Sequence, residues 1–117
     1  MKLFTKQQFA QLIANGESSW RGYSSGDNSV KPVVKLFTPD ANCTWLLSEI
    51  DPGDHDMAFG LADLGMGFPE LGYIYLPEIT KLRGRLGLPV ERDRHITFDK
   101  TLSEYADLAR KAERITV

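Results

Sequence analysis

The sequence predicts an α+β domain, an antiparallel sheet of four to five strands with N- and C-terminal helices packed on one side of it. Two patterns carry that expectation. Runs rich in β-branched and aromatic residues cluster between Val33 and Leu76, and helix-capping signatures stand at Thr5 and Thr101, near the two ends. The 117 residues, 42% of them hydrophobic, fit a single domain over 1–117, large enough to bury a core without staples.

Thr5 followed by Gln8 is a capping box, with Phe4 and Phe9 placed as a hydrophobic staple. Phe9, Leu12 and Ile13 form an apolar stripe, and Gly16 is in the position glycine favours after a helix. The first helix is therefore expected over Lys6 to Asn15. Glu17 to Lys31, rich in Ser, Gly, Asn and Asp, reads as a loop. Inside it, Trp20 and Tyr23 either pin the loop to the body or form an exposed contact patch.

Val33 to Thr38 and Thr44 to Ile50 read as strands joined by a Pro39–Asn42 hairpin loop. DPGDHD reads as a turn of acids and glycine. Met57 to Leu64 is the third strand, with Met57, Phe59, Leu61 and Asp63 on one face. GMGFPELG is a second irregular loop and Gly72 to Leu76 a fourth strand. Pro77 opens a short helix to about Arg85, with Ile79, Leu82 and Leu86 as its stripe. His95 to Phe98 is a candidate fifth strand. Thr101 and Glu104 form a second capping box, opening a helix to about Arg114 with Leu102, Tyr105, Ala106 and Ala109 facing inward.

The formal net charge of −2 conceals segregation. The first 35 residues hold five Lys/Arg and two acids; Leu36 to Thr80 holds eight acids and no base; the remainder holds nine Lys/Arg and six acids. Either one face is acidic, or the parts neutralise one another on folding, the simpler reading because surface charges usually mix. Cys43 is the single cysteine, so an internal disulfide is excluded and nothing points to secretion. Polar residues at Thr5, Lys6, Gln7, Gln8 and Gln11 break any signal-peptide core, and no stretch suits a membrane span. A soluble cytoplasmic protein is expected.

No cofactor, metal or catalytic residue is expected. Asp51, Asp54 and Asp56, with His55 beside them, put oxygen ligands for a hard cation within six residues, but an EF-hand's glycine spacing and distant Glu are missing. No HExxH or paired Cys/His set appears, so a solvated acidic turn is the simpler reading. Glu49, Asp63 and Glu70 would serve acid–base chemistry only if the strand ends met. Asp63 is more simply a carboxylate bonding the N–H groups of the following GMG turn. Nothing pairs Cys43 with His55 or His95, and the glycines at 65 and 67 precede a strand rather than a phosphate-binding helix.

The runs VVKLFTPDANCTWLLSEIDP, AFGLADLGMGFPELGYI, LRGRLGLPVERD and LSEYADLARKAERI, in that order, are similar to a bacterial family catalogued only as a domain of unknown function (twenty-nine fifty-eight). The resemblance covers nearly the whole chain. It implies carriage on plasmids, phages and other mobile elements, but no activity and no catalytic residue.

Three functional readings result. The first is a non-enzymatic, protein-binding accessory factor of a mobile element, of the kind that inhibits a host defence system (anti-restriction or anti-CRISPR type). Its partner-facing surface would be the loops Asp51–Asp56 and Gly65–Gly72, through Asp51, Asp54, Asp56, Asp63 and Glu70, gathered at one edge of the sheet. The second is a nucleic-acid-associated regulator using Lys81, Arg83, Arg85, Arg92 and Arg94, against which stand Glu91, Asp93 and a pI near 5.6. The third is a small hydrolase or transferase with acids near Asp63 and Glu70.

Overall fold

Six consecutive buried residues, Trp45 to Ile50, make one strand buried on both faces, and such a strand needs cover on both. The computed structural model describes residues 3–20 and 30–117. Its elements are α1 (Lys6–Trp20), β1 (Val34–Phe37), β2 (Thr44–Asp51), β3 (Asp54–Asp63), β4 (Glu70–Tyr75), α2 (Leu76–Lys81), β5 (Glu91–Arg92) and α3 (Leu102–Ala112). The strands form one antiparallel sheet in the order β4-β3-β2-β1-β5. The expected α+β class and terminal helices are therefore present.

The helices do not share a side. Leu12 of α1 and Ile79 of α2 pack with Trp45, Leu47, Leu36 and Ala58. Leu102, Tyr105, Ala106 and Ala109 of α3 pack with Leu46 and Leu61 on the other face. Alternation along β2 sends neighbouring apolar residues to opposite faces, so one helical layer cannot cover them all.

The first capping box forms as expected: Gln8 N–H donates to Thr5 Oγ1 and Thr5 N–H to Gln8 Oε1, each at 3.0 Å. Yet α1 continues through Gly16 to Trp20, because Gly16 serves the approach of the helix to the sheet rather than a helix stop. Phe9 is exposed instead of completing the inner stripe. The reading of Trp20 and Tyr23 falls outside the described residues and side chains.

Other boundaries shift for local reasons. Only Pro52 and Gly53 turn between β2 and β3, with the Asp51 carboxylate accepting from Gly53 N–H at 2.8 Å, and Asp54 to Asp56 already belong to β3. The β1–β2 loop is held by Thr38, whose Oγ1 accepts from Cys43 N–H at 2.9 Å. Asp40 reaches away from that loop, accepting from Leu86 N–H at 2.6 Å and from Leu88 N–H. α2 stops at Lys81 because Leu82 is extended, which leaves Leu86 exposed.

The fifth strand is Glu91–Arg92, paired with Leu36 and Phe37, not His95–Phe98. Asp93 ends it by turning the chain, accepting from His95 N–H at 2.8 Å and Ile96 N–H at 3.1 Å. The His95 bond, with Lys35 nearby, holds the Asp93 carboxyl below its ordinary range. A depressed carboxylate stabilises the fold above its unfolded pKa and loses that contribution as pH falls through the folded one.

The second capping box is complete: Thr101 Oγ1 accepts from Glu104 N–H at 3.2 Å, and Glu104 Oε1 from Thr101 N–H at 2.9 Å. Thr101→Ala is expected to cost about 1 kcal/mol in urea unfolding. An unchanged midpoint would show that α3 does not depend on this cap.

Candidate functional site

Asp63, the last residue of β3, is buried, and both its oxygens are engaged with main chain. Oδ1 accepts from Gly65 N–H and Oδ2 from Ile115 N–H, each at 2.9 Å. Gly65 then turns with φ +80°, and a Cβ there would lie 2.8 Å from Asn42 Cβ, so only glycine fits without strain. The short turn that results carries Leu64, Met66 and Phe68 outward, 51%, 68% and 78% exposed. Three large apolar side chains on one anchored loop are a form of exposure that folding alone does not explain.

The chain returns as β4, the last strand of the sheet. Tyr73 and Tyr75 face the α3 side, opposite Phe59 and Met57, and are 55% and 45% exposed. Tyr73 meets Phe59 edge to face, with ring centroids 5.3 Å apart. The hairpin β3–β4 thus presents an apolar loop and a half-open aromatic strand.

An open groove of about 930 Å³ lies between the starts of α1 and β3, with α2 and β5 closing its sides. Phe4, Phe9, Leu76 and Pro77 line it alongside His55, Asp56 and Arg92. The His55 ring stands edge-on to Phe9, centroids 5.4 Å apart. Its size suits a small ligand, and its acid and imidazole are consecutive residues of β3.

The carboxylates do not converge on an acid–base site. Asp63 pairs with Thr44, five residues along β2 from Glu49, a separation of roughly 16 Å. Glu70 pairs with Ala62 and so faces away from Asp63. Glu49 is itself buried and receives the Ser19 hydroxyl. Burial pushes the Cys43 thiol up; its Thr38 hydrogen bond opposes this and the Asp63 charge adds to it, leaving a poor nucleophile. Among the described residues, no group of three His, Cys, Asp or Glu is arranged to hold a metal ion.

The expected acidic surface is also divided. Asp51, Asp54 and Asp56 lie at one end of the ten-residue β3 and the Gly65–Gly72 loop at the other, roughly 30 Å apart. Asp51 and Asp54 brace their own turn, Asp54 accepting from Asp56 N–H at 3.1 Å, and Asp63 is inside. Of the basic residues, Arg83 donates to the Thr80 and Leu82 carbonyls, Lys81 and Arg85 are exposed, and Arg92 and Arg94 line a shallow hollow beside β5. Sequence reasoning missed the apolar loop. Its signal is the alternation Leu64, Met66, Phe68 with glycines between them.

Among the described residues no helix is long and apolar enough to cross a membrane. No curated protein and no solved structure matches the chain. A family model does, over residues 3–116, and the chain belongs to that family, described as Protein of unknown function (DUF2958).

Proposed function

We propose that the protein is a non-enzymatic, protein-binding accessory factor that engages its partner through the β3–β4 loop. The observation behind this reading is the exposure of Leu64, Met66 and Phe68 on a loop anchored by Asp63. Methionine and aromatic side chains at rigid, exposed positions are typical anchors of protein interfaces. The separation of the carboxylates and the raised Cys43 pKa favour binding over catalysis. The mobile-element setting implied by the sequence resemblance makes a cytoplasmic host protein, such as a component of a defence system, the natural partner.

Leu64→Ser, Met66→Ser and Phe68→Ser combined should leave stability within about 0.5 kcal/mol, since the side chains are exposed. Capture of the host protein from lysate should be lost. Equal capture by this variant and the unmodified protein would overturn the reading.

A further inference from the structure

Resting on this protein-binding reading, we infer that the free edge of β4 takes up an extended partner segment as an added strand. The segment is apolar at its centre and basic at both ends. Among the described residues, β4 pairs only with β3, so its outer row of N–H and C=O groups has no strand beside it. Its sequence, ELGYIY, lacks the Lys or Pro that commonly protects such an edge, and its register with β3 runs unbroken from Glu70 to Tyr75. Main-chain pairing supplies affinity in strand addition, and alternate side chains supply selectivity. Tyr73 and Tyr75, half-open on one face, offer the surface on which alternate apolar side chains would rest.

The charge around the edge decides the occupant. Glu70 stands exposed at one end of β4. Asp56, which shares a groove with Leu76 and also with Lys6 and Arg92, and Glu78 in the first turn of α2 stand exposed at the other. None of these three forms an ion pair among the described residues; the pairs present, Lys35–Asp93, Lys100–Asp99 and Arg110–Asp107, involve other acids. A second copy paired antiparallel about the middle of β4 would set Glu70 opposite the partner's Tyr75 end. Its carboxylate would then meet those of Asp56 and Glu78, at both ends of the pair, and like charges there oppose association. Lysines at both ends of an incoming strand would instead be complementary.

A short synthetic peptide of alternating Thr and Val, with Lys-Lys at each end, tests this by amide chemical shifts at about 1 mM, the range of weak association. The amides of Leu71, Tyr73 and Tyr75 are expected to shift and to gain exchange protection. Binding should weaken about tenfold or more when the peptide ends are Glu-Glu, and likewise in the double variant Tyr73→Lys, Tyr75→Lys, whose fold is checked by the remaining amide spectrum. No shift in β4 overturns the inference, as does equal binding of the Glu-ended peptide. Concentration-dependent dimerisation of the peptide-free protein, abolished by the same double variant, would assign the edge to a second copy and also overturn it. If the peptide fails while the loop variant still loses host capture, strand addition alone is wrong. If the peptide binds while the loop variant keeps host capture, the loop reading alone is wrong.

Discussion

Gly16→Ala is expected to destabilise the protein by more than the roughly 1–3 kcal/mol that overpacking usually costs. A Cβ at this position would lie 1.9 Å from the Ile50 carbonyl oxygen, 3.0 Å from its carbon and 3.3 Å from Pro52 Cδ. The obstruction is main chain, and Ile50 is held in register with Ala58, so the strand cannot simply yield. Helix propensity alone predicts the reverse sign: in a free helix alanine is about 1 kcal/mol better than glycine. Urea unfolding of the variant therefore discriminates cleanly. A stabilised Gly16→Ala would mean that α1 does not lie so close to β2.

Trp45→Ala is expected to cost about 3–5 kcal/mol. Trp45 is 4% exposed in the second strand, flanked by Leu36 on β1 and Ala62 on β3, and belongs to the core cluster under α1. Since a domain of this size has about 5–15 kcal/mol to lose, the variant should be largely unfolded on mild warming or in low denaturant. Thermal unfolding followed by circular dichroism measures it. A variant that stays folded but no longer binds its partner would place Trp45 at the interface instead.

What was legible in the sequence was local. Both capping boxes depend on residues three apart, and both form. The inward set of α3 follows from helical spacing, and the Asp63 bond to the GMG turn from a two-residue reach. What was not legible depended on partners distant in the chain. Gly16 looks like a helix stop until Ile50, 34 positions later, is seen beside it. β5 is only two residues long and exists because β1 offers an edge to it. The acidic loops are neighbours in sequence yet separate in space, because the ten-residue strand β3 lies between them.

The double engagement of Asp63 bears on how the protein is best handled. One carboxylate holds both the loop at Gly65 and the chain at Ile115, two residues before Val117. An affinity tag or fluorescent fusion joined at Val117 pulls on the group that shapes the proposed contact loop. Bait proteins for partner searches should therefore leave the Ile115 segment unstrained, with a flexible linker between it and any tag.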